Sequence, residues 1–260
     1  METERFEEID FIRGLAVLLM IAYHAIFDLY IFGLLDLRIG ALPLEVFADV
    51  TAGTFFSVVG ISLYISFSRT KVEGHSAKFR LKKYLARGLK LLGWGAIVTA
   101  VTYFLFPDMV ILFGALHFIG VSVMLGYCVL ELTNGWRRFF RLTFLASMVI
   151  AIFLISEQVC RGLQINNPFL LWLGIAPPEF QSLDYFPLFP WFGLVVAGFV
   201  MGELFYPGGG RRIEVLNVQN RGLEFLGRNS LIIYFVHQPV LYVAIIITRI
   251  LAGKGFSGVF

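Results

Sequence analysis

Seven apolar runs, each close to the twenty residues a helix needs to cross a bilayer, leave this chain one class of fold. They read at 11–33, 46–67, 86–107, 109–131, 139–157, 186–206 and 225–251. Hydrocarbon holds no water to satisfy backbone N–H and C=O groups, so lipid-crossing segments of this length must be helices. Hydrophobic residues make up 58% of the chain and charged residues 15%, with a mean hydropathy of +0.80. That is too apolar and too weakly charged for a soluble domain. The expected fold is all-α: a polytopic membrane bundle of about seven transmembrane helices, read as one domain over residues 1–260 in the cell membrane.

Orientation follows from the basic residues. With the N-terminus inside, all 21 Lys and Arg except Arg38, Arg161, Arg249 and Lys254 fall in cytoplasmic segments. The positive-inside rule therefore predicts a cytoplasmic N-terminus and an outer C-terminus. The formal charge of +3 reflects those loops and calls for no nucleic-acid partner. Acidic residues precede the first run, which is too long for a signal-peptide core, so it is not expected to be cleaved. Cys128 falls near the inner end of span four and Cys160 just outside span five; on opposite sides, they form no disulfide. Two cysteines without close spacing also argue against a structural zinc or iron–sulfur site.

The polar residues inside the first run come next, because an ionisable side chain near the bilayer centre costs at least about 2.5 kcal/mol. At 100° per residue, Asp10, Arg13, His24 and Asp28 form one polar stripe along the helix. Arg13 and His24 are separated by about 16 Å of rise, roughly half the hydrocarbon thickness. That spacing suits a site with one end in the cytoplasm and the other near the midplane. His24 with Asp28 one turn on can act as a general base, the carboxylate holding the imidazole in one tautomer. The blander reading is a hydrogen-bonded packing histidine. A metal would need further ligands, and none is evident.

His117 in span four and His237 in span seven lie at comparable depth and could join His24 in one cavity. Pro239 removes a helical hydrogen bond beside His237 and Gln238, a pattern that lines cavities or merely ties helices together. Eight basic residues run from Arg69 to Lys90 against Glu73 alone. They serve topology and anionic lipid, while Lys83 and Arg87, one turn apart, suit phosphates. Gly227-Arg228-Asn229-Ser230 opens span seven, where Asn or Ser is a candidate N-cap and Arg228 opposes the helix dipole. Asp184, Tyr185 and the FPLFPW turn through Trp191 form an acidic, aromatic outer rim suited to a sugar or amine. Its alternative is an interfacial aromatic belt. The loop over 158–185, with Asn166-Asn167-Pro168 and FLLWLGI, reads as an interfacial or re-entrant segment.

At these residues a family resemblance emerges. DFIRGLAVLLMIAYHAIFDL from Asp10 resembles the start of the catalytic domain of heparan-alpha-glucosaminide N-acetyltransferase and its small prokaryotic transmembrane relatives. The Arg13–His24 spacing also resembles the arginine–histidine motif of bacterial membrane O-acyltransferases that acetylate cell-surface sugars. FFSVVGISLYISFSR after Thr54, GALHFIGVS around His117, DYFPLFPWFG from Asp184 and FLGRNSLIIYFVHQPVL ending at Leu241 extend it over nearly the whole chain. The resemblance implies acetyl transfer across a membrane, from cytoplasmic acetyl-CoA to an acceptor outside. It implies that His24 is the reaction-centre histidine, that Arg13 faces the donor and that Arg87 is the basic entrance to span three. The chain is shorter than the heparan enzyme, lacks its lumenal domain and has fewer spans, so acceptor identity does not carry over.

The expected enzyme is thus an acetyl-CoA-dependent acyltransferase acting on a hydroxyl or amine of an extracytoplasmic sugar or glycan, without a metal. Catalysis falls to His24, Asp28, Arg13 and His237, with direct transfer preferred over an acetyl-histidine. Coenzyme A meets Arg13, Lys83, Arg87, Arg228 and Asn229; Arg13 or Asn229 can also serve the oxyanion. Asp184, Tyr185, Trp191 and His117 face the acceptor. Membrane lipid is a further partner, and a homodimer is left open. The alternatives are a proton-coupled small-molecule transporter, which usually shows two related halves that are not evident here, and a non-enzymatic scaffold, which needs no charged stripe.

Overall fold

The structure is a computed structural model that describes residues 5–35, 41–160, 163, 165, 167–177, 179–212 and 220–251. Arg38, Arg161, Asn166 and Lys254, named above, lie outside the described residues, as does the side chain of Cys160. The described chain is all-helical: α1 (Glu7–Ile31), α2 (Ala41–Val72), α3 (Ala77–Leu105), α4 (Ala115–Leu132), α5 (Arg138–Ile155), α6 (Leu188–Phe205), α7 (Arg221–Arg228) and α8 (Ser230–Leu251). All but α7 are long and apolar enough to cross a membrane, seven candidate spans among the described residues.

Local chemistry explains the ends. Glu7, Glu8 and Asp10 in the first turn of α1 face the positive end of its dipole. Gly74, at φ +76°, takes the left-handed conformation that closes α2. Ser76 accepts from Phe79 N at 3.3 Å and starts α3. α3 therefore begins well before the expected 86, because Lys78, Lys82 and Lys83 extend it as two basic, exposed first turns. The FLLWLGI stretch forms a short 3-10 helix, Pro168–Leu173. The expected seventh run is two helices: α7 ends at Arg228 and α8 starts at Ser230. α8 continues through Pro239.

The chain divides into two compact units, residues 1–55 with 215–260 and residues 56–214. In the first, α1 packs on α7 and α8. In the second, α3 packs on α4 and α5 on α6, with α4 also against α6. Reciprocal glycines set these contacts. A Cβ on Gly14 would overlap the Leu223 carbonyl oxygen, and one on Gly227 the Asp10 carbonyl oxygen. In the second unit Gly60 and Gly198 bring α2 against α6 in the same way, and Gly88 and Gly120 bring α3 against α4. Small residues let helix backbones approach where lipid removes most of the hydrophobic drive for helices to associate.

Gly14→Ala and Gly227→Ala should each cost about 1–3 kcal/mol through overpacking. Thermal unfolding in detergent micelles checks this against Gly93→Ala, whose added methyl meets nothing within 4 Å.

Candidate functional site

In the first unit, the polar stripe on α1 splits into two clusters. At its first turns, Asp10 bridges two cations: Arg13 Nη1 donates to Oδ1 at 2.9 Å and Arg228 Nε to Oδ2 at 3.3 Å. Arg228 Nη2 also donates to Glu224 Oε2 at 3.2 Å. Glu224 is anchored in turn, its Oε1 accepting from Asn220 N at 3.2 Å, while Asn220 caps α7 through Leu223 N. Asp10 and Glu224 are both buried, whereas the Arg228 side chain is 42% exposed. Two guanidiniums are thus held side by side by two buried carboxylates.

Two expectations change here. Arg228 ends a helix rather than starting one, so it lies with the dipole of α7. Asn229 is the C-cap of α7, and its Nδ2 donates to the Phe225 carbonyl oxygen at 2.8 Å. Sequence reasoning missed Glu224; the four-residue spacing from Asn220 was its available signal.

Further along α1, His24 Nδ1 lies 2.9 Å from the Met20 carbonyl oxygen. A carbonyl only accepts, so Nδ1 carries the proton and Nε2 keeps its lone pair. His237 Nδ1 makes the same kind of contact, at 2.8 Å to Tyr234 O and 3.2 Å to Ile233 O. The two imidazoles meet edge to face with ring centroids 4.9 Å apart. Tyr23 adds a second edge contact to His24 at 5.2 Å. The expected His24–Asp28 hydrogen bond does not form. The Met20 carbonyl sits in reach of Nδ1, and Asp28 keeps a buried Oδ2 with no hydrogen-bond partner among the described residues.

The second unit holds the other candidates. His117 Nδ1 accepts from Gly114 N at 3.3 Å, which puts its proton on Nε2, 3.4 Å from Thr99 Oγ1. Thr99 passes its own hydrogen to Ile111 O. Asp184 Oδ2 accepts from Ala115 N at 2.9 Å and caps the same helix start. His117 and Asp184 therefore build the N-terminus of α4, and both ring nitrogens of His117 are in use. Tyr185 OH donates to Leu171 O at 2.7 Å. Trp191 packs edge to face on Phe56 and Phe186. Lys83 Nζ lies 5.5 Å above the Tyr84 ring, and Lys83 and Arg87 are both exposed on α3. Among the described residues no group of three or more His, Cys, Asp and Glu gathers to hold a metal.

Asp10→Asn, Arg228→Gln and the double variant test the bridge. The two losses in unfolding free energy should fail to add, by about 0.5–3 kcal/mol, whereas additive losses would show that the pair is not coupled.

Searches of curated proteins and of solved structures returned no match to this chain. The model of one family, described as heparan-alpha-glucosaminide N-acetyltransferase, catalytic, matches residues 5–239. That range takes in the bridged arginines and the histidine pair, and the chain belongs to this family of transmembrane acetyltransferases.

Proposed function

We propose that this protein moves an acetyl group from cytoplasmic acetyl-CoA to a hydroxyl or amine of a sugar or glycan on the outer side of the cell membrane. The observation that carries the reading is the state of His24. Its Nδ1 proton is committed to the Met20 carbonyl, so Nε2 offers a lone pair beside the ring of His237. A neutral imidazole with one basic nitrogen fixed by its neighbour is what a general base requires.

In this mechanism the acceptor O–H or N–H loses its proton to His24 Nε2 as its heteroatom attacks the thioester carbonyl carbon. The carbonyl π bond becomes an oxyanion. Collapse of the tetrahedral adduct breaks the carbon–sulfur bond, and the His24 imidazolium returns the proton to the departing thiolate. His237 supports the ring of His24, and Asp28 accepts a hydrogen bond from a polar group of the acceptor. Arg13 and Arg228, set by Asp10, contact donor phosphates through charge-assisted hydrogen bonds, with Asn229 beside them. Lys83 and Arg87 offer a further basic pair for phosphate on α3. Tyr185 and Trp191 offer ring faces to a sugar, on a frame built by Asp184 and His117.

His24→Ala should lower acetyl transfer by about 10²–10⁴-fold with unchanged thermal unfolding. Activity close to wild type in the folded variant would remove His24 from the chemistry. Orientation has its own check in a background lacking both cysteines. A cysteine in place of Asp108, at the far end of α3 from Lys78, should react with an impermeant thiol reagent on intact cells. One in place of Lys78 should not, and the opposite pattern would reverse the direction of transfer.

A further inference from the structure

α5 of the second unit starts against the usual charge preference. Its first turn holds no acid, and Arg137 at the N-cap, Arg138 and Arg141 add positive charge to the positive end of the dipole. The compensating carboxylate is Glu203 of α6, only 2% exposed. Arg141 Nη2 pairs with its Oε2, and Arg138 Nε lies 3.6 Å from its Oε1 while Nη2 donates to the Glu203 carbonyl oxygen at 3.3 Å. Tyr64 OH takes a further share of Oε2 at 2.6 Å.

One carboxylate does not satisfy this set. Arg141 Nε is buried without an acceptor, and Arg137 has no carboxylate partner among the described residues. These cations are all arginine, whereas the basic first turns of α3 are largely lysine. Arginine's planar fork matches phosphate oxygens two at a time, which lysine cannot do.

The level of the cluster identifies the source of the phosphate. The α5 span begins at Arg138 and the α6 span ends at Phe205, so both helices reach the membrane–water boundary here. Trp136, Phe139 and Phe140, 39%, 73% and 57% exposed, flank the arginines with amphipathic and apolar rings suited to that depth. We infer that the arginine cluster at Arg137, Arg138 and Arg141 binds the phosphate headgroup of an anionic phospholipid, with Glu203 holding two of the guanidiniums in place. No residue of the proposed reaction site takes part.

Native mass spectrometry of the full chain in neutral detergent, titrated with phosphatidylglycerol, phosphatidylcholine or inorganic phosphate, tests this. The wild type should retain phosphatidylglycerol in preference to phosphatidylcholine. Arg138→Gln should weaken that binding about tenfold, the loss of one charge-assisted contact, and Arg138→Lys should recover part of it. Arg137→Gln touches no ion pair and should weaken binding without altering the thermal unfolding of the lipid-free protein. Equal retention of both lipids, unchanged affinity in Arg137→Gln, or displacement by inorganic phosphate at matched concentration would each overturn the assignment.

Discussion

A carboxylate withdrawn from water needs a cation beside it, and the described helices are fastened wherever that need is met. Asp10 takes Arg13 and Arg228, Glu131 takes Arg80 in a two-pronged contact at 2.6 and 2.9 Å, and Glu203 takes Arg138 and Arg141. Removing the arginine from a buried carboxylate strands that charge, at a cost that solvent lowers where the arginine is half-exposed, as Arg228 and Arg138 are at 42% and 41%. Lipid tails are as apolar as leucine, so burial of apolar side chains alone gives helices little reason to pair. The glycine contacts supply close packing, and the ion pairs select which faces meet. Gly14 and Gly227 flank the Asp10 bridge, Gly88 and Gly120 join the helices tied by Arg80 and Glu131, and Gly198 and Gly202 precede Glu203.

The spans were legible because their signal is summed over about twenty residues, so a few polar positions do not erase it. A break of one residue leaves no such signature. Asn229 separates α7 from α8 while the apolar content on both sides stays high, so the sequence pattern places Arg228 at the opening of a helix it closes. Side-chain choice within a helix was equally hidden. From spacing, Asp28 and Met20 are each one turn from His24, and only the folded structure shows the imidazole turning toward the Met20 carbonyl. Glu203 could have been noticed as an acid within an apolar run. Its partners, from α2 and α5, required the tertiary arrangement.

Three of the four histidines show how one residue type takes different duties from its surroundings. His117 has both nitrogens engaged at a helix start, with the lone pair of Nδ1 directed to a backbone amide. A Cβ on Gly95 would lie 2.9 Å from three atoms of its ring, so the ring has little room to turn. His24 and His237 use backbone carbonyls of their own helices and carry the opposite tautomer. The first arrangement builds structure, and the second leaves the lone pair of His24 on Nε2.

The first unit joins residues 1–55 to residues 215–260, and this sets when it can exist. Arg228 follows Asp10 by 218 residues, which a ribosome adds in about 10–40 s at 5–20 residues per second. Throughout that interval Asp10 has no Arg228 to bridge, and His24 has no His237 to meet. The second unit, continuous in sequence over residues 56–214, can pack its helices while synthesis proceeds. Assembly of the histidine pair therefore waits for the codon of His237, and a nascent chain stalled before it holds His24 without its neighbour.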